Sequence, residues 1–360
     1  MSEKWIDQAT NVRKGEELDT EKIVRVLKNE LGFEGDQLVV EQFPSGFSNL
    51  TYQLSFGEQK FVLRRPPFGA KIKSGHDMGR EYKILHNLKK VYSKVPEALF
   101  YSEDESIIGA PFYIMEKVEG IILRAKMPKE MTPDETTMSG IATAFVDEFA
   151  ALHTVDYESA GLSDLGKPEG YIERQIKGWT KRYYNAKTDE IFPIENAAKW
   201  LLENMPSESG SSLIHNDFKY DNLVLDPDDW TNVIAILDWE MSTLGDPLMD
   251  LGTSLGYWIN HNDPEFMIQL KLNPTTLPGN PKRGDLVEMY AKASGQDISN
   301  IVFYYTYGLF KIAVIIQQIY FRYQKGLTRD ERFANLIHAV KGCGTMAMQA
   351  INKNAIDDLF

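Results

Sequence analysis

Apolar residues in the first third of the chain recur in short runs bounded by turn residues, a pattern typical of β-strands. Two other stretches, residues 19–27 and 79–90, have apolar positions at helical spacing and predict helices. A turn around Gly57 separates the second apolar run from the third. The five predicted strands cover residues 38–43, 51–56, 60–63, 97–101 and 112–118.

After the last of these strands the helical pattern dominates, interrupted by one β-type segment at residues 213–237. We therefore predict an α+β fold of two lobes, with a small antiparallel-sheet lobe over residues 1–117 and a large, mainly helical lobe over residues 118–360. Ligands usually bind in the cleft between two such lobes. The predicted helices of the large lobe cover residues 135–153, 171–185, 195–204, 303–322 and 329–351.

Composition limits the partners that the chain is expected to have. The 360 residues are 43% hydrophobic and 25% charged, which is ordinary for a globular protein of this size. A formal net charge of −13 argues against nucleic acid or an anionic membrane surface as a partner. An anionic ligand is still compatible, because a local group of cations or bound metal ions can supply the positive charge that it needs.

The cysteine content and the apolar stretches favour a cytoplasmic protein. Cys343 is the only cysteine, so no internal disulfide can form, and we expect a packed, unreactive thiol. Residues 1–5 lack the apolar core of a signal peptide. The most apolar late stretch, residues 303–321, contains Lys311 and Gln317, and this favours a buried helix over a membrane span.

The strongest chemical signal is the segment His215-Asn216-Asp217-Phe218-Lys219-Tyr220-Asp221-Asn222, followed by Asp238 at the end of an apolar strand. Phosphoryl transfer needs hard oxygen ligands for Mg²⁺ and a carboxylate that orients the attacking hydroxyl group and takes its proton. Asn222 and Asp238 suit the first task, and Asp217 suits the second. Asp217 and Asn222 could also simply cap a turn, but that alternative leaves Asp238 unexplained.

At these residues the chain resembles the aminoglycoside phosphotransferase and choline kinase superfamily, whose members are distant relatives of protein kinases. It is most similar to the branch that includes the kinase-like domains fused to some acyl-CoA dehydrogenases. The resemblance implies a two-lobed protein-kinase-like fold, ATP and Mg²⁺ as cofactors, Asp217 as catalytic base, Asn222 and Asp238 as magnesium ligands, and a structural role for His215. The matching segments are residues 44–52, 61–67, 80–82, 112–116, 214–224, 237–240 and 245–251.

The resemblance also suggests how the small lobe holds the nucleotide. Arg64 ends a strand where the relatives place a lysine against the α- and β-phosphates, and its expected partner on the following helix is Glu81. The alternative is a surface ion pair without a function. Arg65 competes for the same role, but strand alternation directs it to the opposite face of the sheet.

A loop and a hinge complete the expected nucleotide site. Residues 45–49 form the expected phosphate-covering loop, with Ser48 and Asn49 as contacts, although the loop lacks both a Gly-x-Gly-x-x-Gly pattern and a Walker A sequence and could be an ordinary hairpin turn. In the resembled fold, the carbonyl group of Glu116 and the N–H group of Val118 contact the adenine. Asp246 and Asp250 are expected to brace the catalytic loop rather than to bind metal.

The acceptor is expected to be a small molecule with a hydroxyl group. Asp238 is separated from Gly245 by too few residues for the regulatory and peptide-docking segment of protein kinases. The resemblance and the arginines of residues 171–182 place a hydroxyacyl-CoA or hydroxy acid slightly ahead of an aminoglycoside. Candidate acceptor contacts, each of which could equally be an ordinary core or surface residue, are Glu240, Arg174, Trp179 and Tyr257.

Three other functions remain open on the sequence alone. A catalytically idle nucleotide-binding module would share the fold but would not need all three polar residues of the catalytic set. A protein kinase is disfavoured by the short segment after Asp238. A helical scaffold would leave Asp217, Asn222 and Asp238 without a role.

Overall fold

The computed structural model describes residues 8–35, 37–44, 49–69, 77–328 and 330–360. The chain has the expected two-lobed α+β fold. The described part of the small lobe contains one five-stranded antiparallel sheet in the order β1-β2-β3-β5-β4, and three helices. The strands are β1 (Leu38–Gln42), β2 (Leu50–Phe56), β3 (Gln59–Arg65), β4 (Ala98–Ser102) and β5 (Phe112–Glu116), and the helices are α1 (Thr20–Asn29), α2 (Met78–Leu88) and α3 (Glu105–Ile108).

The two faces of this sheet have different roles, because side chains alternate along each strand. Leu63 and its neighbours on one face pack in a separate apolar cluster with Ile23 and Leu27 of α1. The opposite face carries Val62 and Arg64 of β3. Val62 belongs to the main core that the sheet shares with α2 and the large lobe. The sheet therefore directs Arg64 toward the cleft, as the sequence predicts.

The large lobe is mainly helical, with four short strands. Strands β6 (Ser212–Ile214) and β9 (Thr243–Gly245) form one antiparallel pair, and β7 (Leu223–Leu225) and β8 (Val233–Ile236) form another. The catalytic segment predicted from the sequence lies between β6 and β7. The helices are α4 (Glu135–His153), α5 (Tyr171–Ala186), α6 (Phe192–Glu203), α7 (Pro247–Tyr257), α8 (Glu265–Ile268), α9 (Arg283–Ser294), α10 (Ile301–Gln324) and α11 (Leu336–Lys353).

Helix α10 is the central helix of this lobe. By length and composition it could cross a membrane, but 72% of its most apolar window is buried inside the protein. It packs most extensively against α7 and α11. The crossing with α7 is very close, since a Cβ atom added to Gly308 would lie 1.8 Å from the carbonyl oxygen of Gly252. Only glycine at both positions allows the two backbones to approach in this way.

Most predicted elements are confirmed, and the short elements α3, α8 and β9 were not predicted. Helices α7 and α9 were not predicted, because α7 is short and buried on nearly all sides, and α9 has only a weak apolar stripe. The last helix begins at Leu336 rather than at residue 329. The predicted strand over residues 112–118 ends at Glu116, where the chain leaves the sheet toward the large lobe.

Candidate active site

The catalytic loop leaves β6 at His215 and turns sharply at Asn216. Asn216 has φ of 67°, in the left-handed region that asparagine tolerates better than most residues. This turn brings the Asp217 side chain, which is about one-fifth exposed, to the cleft beside Asn222. The loop is therefore built on a strained residue that must be held by its surroundings.

Asp250 of α7 stabilises this turn through hydrogen bonds to its backbone. Its Oδ2 accepts a hydrogen bond from the N–H group of His215 at 2.6 Å, and its Oδ1 accepts one from the N–H group of Asn216 at 2.8 Å. Burial alone would raise the pKa of Asp250, but hydrogen bonding to His153 and the backbone outweighs it and lowers the pKa. Asp250 is thus an ionised brace, as expected. Asp246 caps α7 through the N–H groups of Leu248 and Met249.

His215 joins the catalytic loop to the strand that precedes Asp238. Its Nε2 lies 3.0 Å from the carbonyl oxygen of Leu237, which can only accept, so this nitrogen carries the hydrogen. Its Nδ1 faces the N–H group of Asp217 at 3.3 Å. Burial lowers the pKa of His215, which keeps the ring neutral, although Asp250 and Asp217 oppose the shift. The hydrogen bonds expected of His215 as a brace of the loop are present.

Asp217, Asn222 and Lys219 form a compact polar group. Nδ2 of Asn222 donates to the carbonyl oxygen of Asp217 at 2.8 Å and to its Oδ2 at 3.1 Å. Because these bonds use the amide nitrogen, the amide oxygen is the atom that Asn222 can offer to a cation. Nζ of Lys219 lies 3.0 Å from Oδ2 of Asp217. Burial would lower the pKa of Lys219, but Asp217 raises it well above its ordinary value, so the lysine stays charged.

Lys219 was not predicted as a site residue. The available signal was its position two residues after Asp217 in the same loop, where it is close enough for a direct contact. A cation in this position offsets the negative charge of Asp217 and of a ligand close to it.

Asp238 and Arg64 meet across the cleft. Both terminal nitrogens of Arg64 donate to Oδ1 of Asp238, at 3.2 Å and 3.1 Å. Arg64 also forms a buried ion pair with Glu81 of α2, 2.6 Å long, which confirms the expected partnership. Burial lowers the pKa of Arg64, but the surrounding carboxylates, Glu81 first, raise it above its ordinary value. Arg65 lies on the other face and donates to the carbonyl oxygen of Ile108 at 2.8 Å.

Glu240 links the two lobes beside this pair. Its Oε2 accepts from Nδ2 of Asn49 at 2.6 Å and from Arg64 at 3.2 Å. Asn49 lies at the start of β2 and is buried at 3% exposure. The expected contact residue Ser48 lies outside the described residues. Glu240, predicted as an acceptor contact, thus lies between Arg64 and Asn49.

Glu116 and Val118, the residues predicted to contact the base, lie where the chain passes from the sheet to the large lobe. Glu116 ends β5 with its N–H group bonded to the carbonyl oxygen of Glu97 at 2.9 Å, and its carboxylate pairs with Lys89 at 3.3 Å. Val118 packs on a small cluster that includes Val224 and Ile122 of the large lobe. On the sheet side, Val62 and Met115 share one face. Apolar side chains of both lobes thus lie near this segment.

The donor set fits a magnesium nucleotide. Among the residues that the structure describes, no cluster of three or more His, Cys, Asp or Glu side chains suited to a metal is present. One amide and one carboxylate, Asn222 and Asp238, suit Mg²⁺ that is held jointly with phosphate oxygens. Nε of Arg64 is buried without a hydrogen-bond partner in the described part of the chain, so the guanidinium has a donor left for an anionic ligand.

The other acceptor candidates lie in different places. Tyr257 lies beside the catalytic loop, with its ring centroid 5.0 Å from Nζ of Lys219. Trp179 is buried behind the loop, its indole N–H bonded to Gln175 at 3.2 Å and its ring stacked 4.4 Å from the guanidinium of Arg182. Arg174 is exposed and donates to carbonyl groups of the segment that precedes its own helix, at Lys167 and Glu169.

The sequence matches a known family and several known proteins. The profile of the phosphotransferase enzyme family, APH, matches residues 39–277. Acyl-CoA dehydrogenase family member 11 of Pongo abelii is 35% identical over 314 residues, a match that covers 85% of this chain and 40% of that protein. Acyl-CoA dehydrogenase family member 10 of Mus musculus is 34% identical, with coverages of 86% and 29%. The chain spans less than half the length of both relatives.

Solved structures show the same fold. A Ralstonia eutropha protein provisionally named an aminoglycoside phosphotransferase superposes with a TM-score of 0.75 and 32% identity, over 91% of this chain and 98% of its own. Choline kinase of Cryptosporidium parvum superposes with a TM-score of 0.61 and 14% identity, and the match covers 93% of this chain and 97% of that one. Aminoglycoside phosphotransferase APH(4)-Ia, solved with ADP and hygromycin B, superposes with a TM-score of 0.57 and 14% identity, and the match covers 90% of this chain and 97% of that one. The last two show likeness of fold alone.

Proposed function

Because the chain belongs to the phosphotransferase enzyme family, we propose that it uses ATP and Mg²⁺ to phosphorylate a hydroxyl group of a small molecule. One observation carries the proposal. Asp217 and Asn222 are joined by a hydrogen bond. The N–H group of Leu237 donates to the carbonyl oxygen of Asn222 at 2.8 Å, so the next residue, Asp238, lies close to this pair, and Asp238 in turn contacts the small-lobe arginine Arg64. These are the groups that phosphoryl transfer requires.

Each residue has a distinct task in this proposal. Asn222 and Asp238 would hold Mg²⁺, which neutralises charge on the phosphates when bound. Arg64 would hold phosphate oxygens, kept in place by Glu81. Asp217 orients the acceptor hydroxyl group and takes its proton as the oxygen bonds to the γ-phosphorus and the bond to the leaving ADP breaks. Lys219, 3.0 Å from Asp217, limits the repulsion between that carboxylate and the phosphates.

The choice of nucleotide and of acceptor has weaker support. A complex of the fold neighbour APH(4)-Ia contains ADP, which favours an adenine nucleotide. For the acceptor we propose a hydroxyacyl-CoA or hydroxy acid ahead of an aminoglycoside, since the more similar relatives are named acyl-CoA dehydrogenase family members. The cations Lys219, beside Asp217, and Arg182, stacked on Trp179, suit an acidic acceptor better than a polycation.

A catalytically idle nucleotide-binding module is the second candidate. The observation that favours it is the contact between Arg64 and Asp238, since a guanidinium group at 3.1 Å occupies part of the surroundings that the carboxylate would offer to Mg²⁺. Binding of MgATP would have to exchange this contact for contacts with metal and phosphate. Such an exchange is compatible with turnover, because Arg64 keeps Glu81 as a partner.

An ADP-release assay tests the proposal. The protein is incubated with MgATP and, in turn, 3-hydroxybutyryl-CoA, 4-hydroxypentanoate, kanamycin and choline, and a thermal-shift titration measures MgATP binding. We expect acceptor-dependent ADP release that Asp217→Asn abolishes and that the exposed control Asp228→Asn retains. MgATP binding without ADP release on any acceptor would favour the idle module. Turnover of kanamycin and none of the acidic acceptors would reverse the ranking of acceptors.

A further inference from the structure

Lys311 is a buried cation in the middle of the apolar helix α10. The residue is 3% exposed, and its α10 neighbours Phe310 and Ile312 are buried core residues. Its ammonium group donates to three oxygen atoms: the carbonyl oxygen of Asn216 at 3.0 Å, Oδ1 of Asn216 at 3.1 Å and Oγ1 of Thr253 at 3.3 Å. All three acceptors are formally neutral. Lys311 therefore bonds the catalytic loop, 95 residues away in sequence, rather than a carboxylate.

The carbonyl group that Lys311 holds belongs to the peptide group that leads into Asp217. The N–H group of this peptide, on Asp217, faces Nδ1 of His215 at 3.3 Å. Asp250 fixes the preceding peptide through the N–H group of Asn216. The strained residue Asn216, with φ of 67°, is thus held on its N–H side by Asp250 and on its carbonyl side by Lys311. Rotation of the second peptide would change the direction in which the Asp217 side chain leaves the loop.

The side chain of Asn216 takes part in the same arrangement. Its Nδ2 donates to the carbonyl oxygen of Met241 at 3.2 Å and lies 3.2 Å from the hydroxyl oxygen of Tyr171. Lys311 therefore anchors both the backbone and the side chain of the residue before Asp217. Two bonds from one ammonium group to one residue fix its orientation more strictly than a single bond would.

A purely structural role explains Lys311 poorly. A methionine or leucine would fill the same space in α10 without the free-energy cost of burying an ammonium group that no carboxylate pairs with directly. A charged residue at an apolar core position lowers stability, and such residues are expected at functional sites. Here the ammonium group forms two hydrogen bonds to Asn216, one residue before the proposed base.

We propose that Lys311 is a positioning residue for phosphoryl transfer, which fixes the peptide between Asn216 and Asp217 and so keeps the Asp217 carboxylate directed toward the acceptor hydroxyl group. The proposal rests on the proposed phosphotransferase function. It assigns to Lys311 no contact with nucleotide, metal or acceptor. Its effect on the reaction passes through Asn216 alone.

The charge of Lys311 depends on pH in an accessible range. Burial lowers its pKa to about 8, with Asp250 of α7 and Asp217 of the loop opposing the shift and Arg182 of α5 adding to it. The ring of Trp179 lies 5.9 Å from the ammonium nitrogen, and both Lys311 and Tyr171 bond Asn216. When the pH rises through 8, the ammonium group loses its proton and its charge-assisted hydrogen bonds to Asn216 weaken.

The test compares Lys311→Met, Lys311→Arg and, as a control, Lys341→Met, which changes an exposed lysine of α11. Turnover is measured with MgATP and the four acceptors named above, on both sides of pH 8. We expect Lys311→Met to lower kcat about 10- to 100-fold while KM for MgATP stays near the wild-type value. In the wild-type protein we expect turnover to decline as the pH rises above 8, because Lys311 loses its charge. Lys311→Arg keeps its charge at this pH, so we expect it to retain activity without this decline. A wild-type kcat and pH profile in Lys311→Met would overturn the proposal.

A second measurement does not depend on turnover. Amide hydrogen exchange of residues 213–219 reports the loop directly, and we expect faster exchange at Asn216 and Asp217 in Lys311→Met, with no change in α6. If Lys311→Met does not fold, Thr253→Val removes one acceptor of the ammonium group and is expected to show a smaller change in the same direction. Unchanged exchange in every folded Lys311 or Thr253 variant would refute the anchoring role. Absence of turnover in the wild-type protein would instead contradict the phosphotransferase proposal.

Discussion

The guanidinium group of Arg64 in β3 lies 3.1 Å from Oδ1 of Asp238, the carboxylate that follows β8 in the other lobe. The arginine is at the same time paired with Glu81 of α2 at 2.6 Å. The position of α2 is therefore coupled, through one side chain, to the proposed magnesium ligand. A change that displaces α2 is expected to alter metal binding as well as nucleotide binding.

Asp217→Asn tests the proposed base. The amide keeps the size of the side chain but cannot accept the hydroxyl proton, so we expect kcat to fall about 100- to 10,000-fold. Affinity for MgATP should stay close to wild type, because Asn222 and Asp238 remain. Steady-state turnover and a thermal-shift titration measure the two quantities, and near-normal turnover would refute the assigned role.

Asp238→Asn tests the proposed magnesium site. Loss of the charge is expected to weaken MgATP binding about 10- to 100-fold and to leave the weaker, metal-free binding of ATP largely unchanged. Isothermal calorimetry with ATP in the presence of magnesium or of a chelator separates the two. Asp228→Asn, in the exposed turn between β7 and β8, is the matched control. Equal loss of binding with and without magnesium would argue against a metal ligand at this position.

The proposed catalytic residues could be assigned to one site from the sequence because they lie close together in it. Asp217 and Asn222 belong to one loop, and Asp238 ends the next long apolar run. Local spacing and residue type were enough to assign them to one site. Arg64 and Glu81 required one further step, the alternation of side chains along β3, and that rule is reliable.

The supports of the loop could not be predicted in the same way. Lys311 and Asn216 are 95 residues apart, and nothing in the apolar pattern of α10 indicates that its lysine faces the catalytic loop. The contact between Asn49 and Glu240 joins residues 191 positions apart. Such pairs follow from the packing of α10 and from the closure of the two lobes, which are properties of the whole fold.

Two replacements of Arg64 separate the effect of its positive charge from that of its planar guanidinium group. Arg64→Lys keeps the positive charge beside Glu81 but cannot reach Asp238 and Glu240 with a planar fork, so we expect a higher KM for ATP and a small change in melting temperature. Arg64→Met leaves the buried Glu81 without its cation, and removal of one partner from a buried pair costs about 3–5 kcal/mol. Chemical denaturation and ATP titration of both variants check these expectations. Equal stability of the two variants would show that the ion pair does not stabilise the fold.

The neutral state of His215 predicts a loss of stability in mild acid. Because its pKa in the folded protein is lowered from the ordinary 6.5, the unfolded chain binds the proton more readily as the pH falls. The free energy of unfolding should therefore decrease as the pH falls below about 6.5 and through the folded pKa. His215→Asn, which cannot take up this proton, is expected to show a shallower dependence over the same range. Denaturant titrations at several pH values measure the difference, and parallel curves for the two proteins would exclude His215 as its source.

The close crossing of α7 and α10 predicts opposite effects for two glycine substitutions. A Cβ atom at position 308 would lie 1.8 Å from the backbone oxygen of Gly252, so Gly308→Ala must push the two helices apart. Overpacking of this kind typically costs about 1–3 kcal/mol or more. Gly178 of α5 has no atom within 4 Å of the added Cβ, and Gly178→Ala is expected to stabilise the protein by about 0.5–1 kcal/mol through helix propensity.

Since α7 also carries Asp250, Gly308→Ala should lower turnover as well as stability, whereas Gly178→Ala should change stability alone. Equal melting temperatures for the two variants would mean that α7 and α10 do not approach as closely as the structure indicates.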